Sequence, residues 1–495
     1  MSHLLTLSRA ARLVGTTRAH LQALIKRGEL ATFEGMVTPQ DLLQRFPKAR
    51  LEDDTLFERL ARIKETAFAN RIRERLLPDP EVLVARLADL GIELDDARRE
   101  VARYRAAVEA ADLLLSGHES PSDPLAMLAR QLRLQLLELI DTAAIDEDAQ
   151  RLLAMDQVMR VVSAHVRLLP SGHEFLLDGT DTILEAALRA GLSLNYGCSS
   201  GNCGLCKARI VSGQAKKVRP HDFLLTEAEK NAGYTLLCSY TAVNDVVVEA
   251  IEAGGATDIP HQRIPARVRR IDAPAPDIRL LHLQTPRTQR LRFLAGQSVS
   301  LLSANGAAAE MPIASCPCDD RNIEFHVREN PDDPFAAQVF DGLRSGETIT
   351  LDGPTGDFVL DDDVRRPVMF LACDTGFAPV KSLIEHALAR ESAESLHLYW
   401  FTCSRTGPYL DNVCRAWTDA LDHFSYHPLI LPCHAMSELS ADGVRGMLES
   451  ITPSLPTLAE AEVYLSGPTT FTETAAKMLA PHLPDGRLHV QSIRR

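Results

Sequence analysis

The chain of 495 residues has no apolar run that approaches the roughly 18–20 residues needed to span a bilayer. Its first residues turn charged at Arg9 and Arg12 without an apolar core behind them, so we expect no secretory signal and no membrane insertion. The expected compartment is the cytoplasm, where cysteines are more often metal ligands or reactive thiols than structural disulfides. With 45% hydrophobic and 24% charged residues, the composition excludes wholesale disorder, a collagen-like fold and a disulfide-dense mini-protein.

Only the first 50 residues carry a net positive charge, and the rest of the chain is net negative. The formal net charge is −14, yet residues 1–50 carry eight Lys or Arg and three Asp or Glu, which gives +5 there and −19 over the rest. A basic head on an acidic body indicates different partners for the two parts. At about 100–200 residues per domain, the length predicts three to four domains.

Periodicity divides the chain into regions. Residues 1–50 are typical of short helices, and residues 51–157 of a charged helical region with a further helix over 125–155. Within that region, steps of four and three alternate along one helix face and predict a coiled coil over 83–115, and hence a homodimer. The seam consists of Leu83, Leu87, Leu90, Leu94, Ala97, Val101, Tyr104, Val108, Ala111 and Leu115.

Strand patterns begin near residue 158. Residues 158–255 mix strands and turns, and the short strands of 260–362, separated by Gly and Pro, suit a small barrel. Over 363–495 strands alternate with helices, which predicts a doubly wound parallel sheet. The whole is therefore a multidomain α/β protein with a helical head.

Four of the ten cysteines form a ligand pattern. Cys198, Cys203, Cys206 and Cys238 have the spacing C-x4-C-x2-C…C, in which four thiolates hold a 2Fe–2S cluster. A tight loop around an anionic cluster needs inward backbone amides, which explains the glycines at 197, 201 and 204. A structural zinc site or ordinary buried thiols are the alternatives, although zinc ribbons usually carry two C-x2-C knuckles, and this chain has one.

The residues around these cysteines resemble a plant-type ferredoxin, a β-grasp fold, in segments 166–172, 182–187 and 196–208. Further on, segments 294–297, 351–358, 375–379 and 466–468 follow one another in the order of another family. They resemble the ferredoxin-NADP reductase superfamily, in particular oxygenase reductases and the CDP-6-deoxyglucoseen reductase group.

The resemblance implies a six-stranded flavin-type β-barrel and a nicotinamide-type α/β lobe. It implies that NADH or NADPH gives a hydride to FAD, which passes single electrons to the cluster and on to a redox partner such as an oxygenase. The implied flavin-site residues are Gly296, Gln297, Gly353, Pro354 and Gly356. The implied nicotinamide-site residues are Thr375, Gly376, Ala378 and Ser466, near a helix N-terminus suited to a pyrophosphate.

The chain departs from that family at the cofactor contacts. The family's Arg-x-Tyr-Ser flavin motif is replaced by Ala309-Glu310-Met311-Pro312, its second phosphate turn by residues 334–337, and its Gly-Gly-Thr-Gly by Cys373-Asp374-Thr375-Gly376. An Asp facing a pyrophosphate is electrostatically unfavourable. Two hypotheses follow: a reductase that binds flavin by altered contacts, or a flavin-free ferredoxin carrier on a degenerate reductase scaffold. Cys316 and Cys318, beside the motif, are either incidental buried thiols or redox-active ones.

Residues 4–46 resemble a MerR-like or excisionase-like winged helix. Arg18, Lys26 and Arg27 are the candidate DNA-phosphate contacts, which would position the head without reading sequence. Such small units also dock onto proteins, here an oxygenase or another partner. The alternative function is therefore a redox-sensing DNA-binding regulator.

Overall fold

The computed structural model describes residues 4–32, 35–47, 78–116, 131–132, 134, 147–361, 366–390, 393–421, 423–433, 436–451 and 458–493. The helices expected within 51–77 and within 125–146, other than residues 131, 132 and 134, lie outside the described residues. None of the helices in the described part of the chain combines the length and apolar character needed to cross a membrane.

The head contains β1 (Leu5–Thr6), α1 (Leu7–Leu13), α2 (Arg18–Lys26), β2 (Met36–Val37) and α3 (Pro39–Arg45). Strands β1 and β2 pair antiparallel, and the Thr17 side chain caps α2 by accepting from the His20 amide. The apolar faces of α1, α2 and α3 close around Leu21, Leu24 and Leu42, which are at most 1% exposed. The two short strands and three helices are compatible with a winged-helix head, which remains a prediction.

Two longer helices connect the head to the rest, α4 (Pro80–Ser116) and α5 (Glu147–Val162). Arg86 on α4 is 2% exposed and donates to the carbonyl oxygens of Val161, Ala242 and Val243, so α4 is anchored on the next domain. Beyond this anchor the seam positions are open: Leu87, Leu94, Val101 and Tyr104 are 49–64% exposed. The coiled coil therefore stays a prediction.

The ferredoxin-like domain is a five-stranded mixed sheet in the order β4-β3-β9-β5-β7, with a two-stranded β6–β8 pair beside it. Strand β3 runs parallel to β9, and helix α6 begins at a Thr182–Glu185 capping box and buries Ile183, Leu184 and Ala187. This agrees with the expected β-grasp topology. The elements are β3 (Ser163–Leu169), β4 (Glu174–Asp178), α6 (Ile183–Arg189), β5 (Lys207–Ser212), β6 (Ala215–Lys217), α7 (Glu227–Asn231), β7 (Tyr234–Leu236), β8 (Tyr240–Ala242) and β9 (Val246–Glu249).

The next domain is a six-stranded antiparallel sheet in the order β13-β12-β15-β10-β11-β14. Its elements are β10 (Gln262–Ala275), β11 (Ile278–Gln284), β12 (Ser298–Ser303), β13 (Ala308–Pro312), β14 (Asn322–Arg328), α8 (Pro334–Asp341) and β15 (Thr348–Thr355). The expected closed barrel is a half-barrel sheet, because edge strands β13 and β14 do not pair. Just past β13, the Ala314 amide donates to the Glu324 carbonyl oxygen at 2.8 Å.

The last domain is the doubly wound lobe that the sequence predicts: a five-stranded parallel sheet ordered β18-β17-β16-β19-β20, with helices between the strands. The buried strands β16 and β19 form its centre, and their carboxyl ends face the half-barrel. Its elements are β16 (Val368–Cys373), α9 (Phe377–Arg390), β17 (Leu396–Thr402), α10 (Asp411–Ala420), β18 (Phe424–Ile430), α11 (Ala441–Ile451), β19 (Glu462–Pro468), α12 (Thr469–Leu479) and β20 (Leu488–Ile493).

Candidate metal centre and cofactor cleft

The four predicted cysteines come together as two pairs of thiols. Cys206 and Cys238 have their Sγ atoms 3.3 Å apart, and the thiols of Cys198 and Cys203 hydrogen-bond to each other. Three of them are at most 2% exposed, whereas Cys203 is exposed. The loop between α6 and β5 supplies three thiols, and the end of β7 supplies the fourth.

Backbone amides of the loop turn toward these sulfurs. The amides of Ser200, Asn202 and Cys203 are directed at the Cys198 sulfur and lower its pKa, and the Gly201 amide does the same for Cys238. The turn needs glycine at two places, because Gly201 has φ +78° and Gly204 has φ +74°. A concave set of N–H groups of this kind is suited to an anion.

The same contacts lower the pKa of some of these thiols and raise that of others. Burial raises the pKa of Cys198, but amide hydrogen bonds outweigh it and lower that pKa to about 7. The hydrogen bond from Cys206 lowers the pKa of Cys238 to about 6, and the same bond raises the pKa of Cys206. One thiol of each pair is therefore favoured as a thiolate, the form that binds metal.

This donor set fits a 2Fe–2S cluster. A mononuclear zinc needs four ligands that converge on one point, whereas the four thiols here lie in two pairs. Two irons instead need two pairs of thiolates, which is the arrangement seen. The inward amides match the negative charge and the bridging sulfides of such a cluster.

The half-barrel sheet holds the cysteine loop from outside. The Arg290 amide donates to the Gly197 carbonyl oxygen at 2.9 Å, and its guanidinium, 5% exposed as a side chain, donates to Ser199 Oγ at 3.1 Å. Arg292 donates to Asn195 Oδ1 at 3.0 Å. Asp320 lies 3.9 Å from Arg290, and burial raises the pKa of Asp320 to about 6. Sequence reasoning missed these residues, and no local motif marks them.

The residues predicted around the flavin keep their backbone frame. Gly296 has φ +88°, and a Cβ there would lie 1.9 Å from the Phe358 carbonyl oxygen, so only glycine fits. Gln297 donates to the Gly356 carbonyl oxygen at 3.1 Å and ties this turn to the one that contains Gly353, Pro354 and Gly356. These five residues therefore lie together at the end of the half-barrel where β12 begins and β15 ends.

The side chains that normally hold a flavin do not fit. Ala309 and Met311 supply neither a cation for the phosphate nor a ring for stacking, and Pro312 supplies no hydroxyl. The amides of Phe335 and Ala336, at the start of α8, are taken by the Asp333 carboxylate, which caps its own helix. Two small clefts, one beside Cys206 and one beside Tyr196, are lined by other residues than those predicted for the flavin and the nicotinamide.

The predicted nicotinamide residues converge where β16 and β19 end. A Cβ on Gly376 would lie 2.2 Å from the Ser466 carbonyl oxygen, so Thr375, Gly376 and Ser466 lie side by side, with Ala378 buried behind them. The fully buried Ser466 Oγ has no hydrogen-bond partner among the described residues, and neither has Oε1 of Gln491, its neighbour in the sheet. Two unsatisfied polar atoms at the carboxyl end of a parallel sheet fit a polar ligand such as a nicotinamide.

Asp374 does not face a pyrophosphate, contrary to the sequence expectation. It adopts φ +57°, its side chain is 4% exposed, and both carboxylate oxygens accept from the Arg328 guanidinium. Arg328 also binds Asp277. The charge that argued against a nicotinamide is therefore neutralised within the protein.

The candidate phosphate contacts of the head differ in their surroundings. Arg18 lies 3.9 Å from Glu174 of the ferredoxin-like domain, while Lys26 and Arg27 are exposed at the end of α2. Two more basic residues of the head, Arg9 and Arg12, bind Asp245 and Asp178 of that domain at 2.7 and 3.0 Å. Much of the +5 charge thus faces the chain's own acidic body.

Comparison with known proteins places these sites in a class. Residues 166–243 match the family described as 2Fe-2S iron-sulfur cluster binding domain, and residues 265–360 match the family described as Oxidoreductase FAD-binding domain. Together these define an iron–sulfur flavoprotein oxidoreductase, whose cofactors are a 2Fe–2S cluster, FAD and NAD(P)H.

Several characterised proteins are similar over this part of the chain. The CDP-6-deoxy-L-threo-D-glycero-4-hexulose-3-dehydrase reductase of Yersinia pseudotuberculosis is 32% identical over 307 residues, which are 62% of this chain and 91% of the relative. The terephthalate 1,2-dioxygenase reductase component 1 of a Comamonas species is 29% identical over 246 residues, 50% of this chain and 72% of the relative. The crystal structure of an Amycolatopsis cytochrome P450 reductase is also similar, at 25% identity and a TM-score of 0.42. The match covers 66% of this chain and 98% of the reductase chain.

The chain belongs to the family of ferredoxin-type, NAD(P)H-dependent reductases that includes the Yersinia enzyme. It is an electron-transfer oxidoreductase that passes electrons from NAD(P)H via flavin and a 2Fe–2S cluster to a partner. The two family models match from residue 166 onward, so neither of them includes the head or α4.

Proposed function

We propose that Cys198, Cys203, Cys206 and Cys238 hold the cluster, two thiolates to each iron, in a reductase component that serves an oxygenase-type partner. The observation that carries this is the two pairs of thiols with loop amides directed at their sulfurs. The relatives named for dioxygenase and dehydrase systems support a separate protein as the electron acceptor.

The proposed electron route runs between the two reductase lobes and out through the cluster loop. Thr375, Gly376, Ala378 and Ser466 would receive the nicotinamide, and Ser466 Oγ would orient it by a hydrogen bond. When bound, the flavin converts a two-electron hydride into single electrons. Because the side chains at 309–312 lack the usual contacts, backbone groups of the turn at Gly353, Pro354 and Gly356, together with Gly296 and Gln297, are the proposed flavin contacts. Arg290 then seats the cluster loop against the half-barrel.

The test measures cofactor content and reduction of the purified full chain under anaerobic conditions. We expect cluster absorption bands, extractable flavin, and bleaching of the cluster by NADH or NADPH. Cys206→Ser should abolish the cluster bands, whereas Cys414→Ser, which alters a buried free thiol in the last domain, should leave them. Cluster bands without flavin and without bleaching would leave a flavin-free ferredoxin carrier and reject the reductase route.

We further propose the division into a winged-helix head (1–50), a helical region (51–157), a ferredoxin domain (158–255), a flavin-type domain (260–362) and a nicotinamide-type domain (363–495). The ion pairs of Arg9 and Arg12 with the ferredoxin-like domain favour a protein-docking role for the head over a DNA-binding one. Lys26 and Arg27 would be the remaining phosphate contacts of a redox-sensing regulator. A DNA mobility shift at low salt would support the regulator, and its absence would reject it.

We also propose a cytoplasmic homodimer formed through the heptad face of α4. The support is the exposure of Leu94, Val101 and Tyr104 along a 37-residue helix, since apolar seam residues are normally covered by a partner helix. Analytical ultracentrifugation should give a dimer for the natural chain and a monomer for the Leu94→Glu, Val101→Glu variant. A monomeric natural chain would contradict this.

A further inference from the structure

Two cysteines that the cluster does not use lie at the junction of all three domains of the reductase. Cys316 and Cys318 form a disulfide on either side of Pro317, with their Cα atoms 5.2 Å apart, within the usual range. The Cys318 amide also donates to Cys316 Sγ at 3.4 Å. Cys316 is 1% exposed, while Cys318 is half-buried.

Stability does not explain this bond well. A disulfide restricts the unfolded chain more strongly as the loop it closes becomes longer, and Cys316–Cys318 closes a loop of three residues. The second disulfide, Cys403–Cys433 in the nicotinamide-type domain, has a similar Cα separation of 5.3 Å but a sequence separation of 30. By this criterion Cys403–Cys433 is the structural bond of the two.

One side of the Cys316 turn contacts the helix that follows the nicotinamide turn. The Cys316 amide donates to Glu385 on α9 at 3.1 Å, and Ser382 Oγ on the same helix donates to the Ser315 carbonyl oxygen at 2.7 Å. Lys381 binds Glu385 at 2.9 Å and Glu324 at 3.4 Å, so the charge of the carboxylate that holds Cys316 is balanced within the protein.

The other side of the turn contacts the support of the cluster loop. Pro317 lines a small cleft together with Tyr196 and Arg292, and Asp320 lies 3.9 Å from Arg290, which holds Ser199. The disulfide therefore lies between the lobes that handle NAD(P)H and the loop that carries the cluster cysteines. An incidental pair of thiols has no reason to occupy this junction.

We propose that Cys316–Cys318 is a redox-active disulfide that NAD(P)H reduces. The S–S bond breaks and takes up two electrons, NAD(P)H is oxidised to NAD(P)⁺, and its hydride and one proton from solvent supply the hydrogens of two new thiols. The inference rests on the proposed function, since that route delivers the electrons. It adds a two-electron acceptor to a chain whose cluster accepts one electron at a time.

The experiment counts thiols and electrons in the cluster-loaded full chain. The protein is incubated anaerobically with NADH or NADPH, quenched in acid, alkylated with a maleimide and mapped by peptide mass spectrometry. We expect alkylation of Cys316 and Cys318 only after nicotinamide is added, while Cys403 and Cys433 stay oxidised as the internal control. In a reductive titration the natural chain should consume one more equivalent of NAD(P)H than the Cys316→Ser, Cys318→Ser variant.

The cluster spectrum, recorded in the same sample, separates this inference from the proposed function. Bleaching of the cluster with an intact Cys316–Cys318 bond overturns the inference and leaves the function standing. New thiols at 316 and 318 without bleaching support the inference, because electrons from NAD(P)H then reach the disulfide, and reject only the transfer to the cluster in the proposed function. If the cluster does not bleach and no new thiols form, both the inference and the proposed function are rejected. Equal reduction of both disulfides, or thiols at 316 and 318 that diamide cannot oxidise, also overturns the inference.

Discussion

The buried ion pair between Arg328 and Asp374 stabilises the contact between the half-barrel and the nicotinamide-type domain, and its contribution can be measured. Arg328 lies on β14 and Asp374 follows β16, so the pair joins the two domains. Trp400 holds Asp374 within its own domain, because its Nε1 donates to the Asp374 carbonyl oxygen at 3.1 Å. Loss of either charge leaves the other ion with fewer partners in a buried position.

The size of the effect follows from the burial of each partner. Removing one partner of a buried pair costs about 3–5 kcal/mol. The side chain of Arg328 is 27% exposed and keeps Asp277, so we expect the lower end of that range. Arg328→Gln should cost about 3 kcal/mol because Asp374 is left buried. Asp374→Asn should cost about 2 kcal/mol, since asparagine tolerates the left-handed conformation. The double variant should cost about 3 kcal/mol, which gives a coupling energy of about 2 kcal/mol.

Tryptophan fluorescence during urea unfolding measures this directly, because both tryptophans, Trp400 and Trp417, are fully buried in the nicotinamide-type domain. The control is Arg415→Gln, which removes the ion pair with Asp411 on α10; that arginine is 64% exposed, so the loss should be much smaller than for Arg328→Gln. If the free-energy cost of the double variant equals the sum of the two single costs within about 0.5 kcal/mol, the two residues are not coupled and the reasoning is refuted.

Three further variants probe other contacts. Gly204→Ala should lower cluster occupancy, because its Cβ would lie 2.2 Å from Phe223 at φ +74°; normal cluster absorbance after purification would contradict this. Burial raises the pKa of Asp320 from 3.8 to about 6, so the free energy of unfolding should fall by up to about 3 kcal/mol as the pH rises from 4 to 6. Urea titrations at several pH values should show that Asp320→Asn loses this dependence, and a variant with the same pH profile as the natural chain would contradict the prediction. Arg86→Met should cost about 3 kcal/mol by orphaning three carbonyl oxygens, and limited proteolysis should then cut α4 faster; equal cleavage rates would argue against the anchor.

Local pattern was enough for the element types and for the candidate ligand set. Alternation of strands and helices over 363–495 predicted the parallel sheet, and α2 (Arg18–Lys26) is one of the short helices expected within residues 1–50, because caps and periodicity act within a few residues. The cysteine spacing predicted the thiols that the fold brings together, since three of them share one loop. The sequence did not show that the predicted barrel is an open half-barrel sheet, because this depends on whether distant edge strands pair.

Charge was where the sequence misled, because it does not show which charges meet. Asp374 read alone argued against a nicotinamide, yet it binds Arg328, 46 residues away in the chain. The basic head read alone left DNA binding and protein docking open, and it did not show that Arg9 reaches Asp245.

The sequence by itself determined the spacing of the four candidate thiol ligands, the order of the strand and helix patterns and the loss of the usual flavin side chains, because each of these is a matter of residue identity and spacing. Only the tertiary structure decided which buried charges are neutralised, and that Cys316–Cys318 lies between the nicotinamide side and the cluster loop. The physical reason is that both depend on contacts between residues tens to hundreds of positions apart, which form only when the domains pack together.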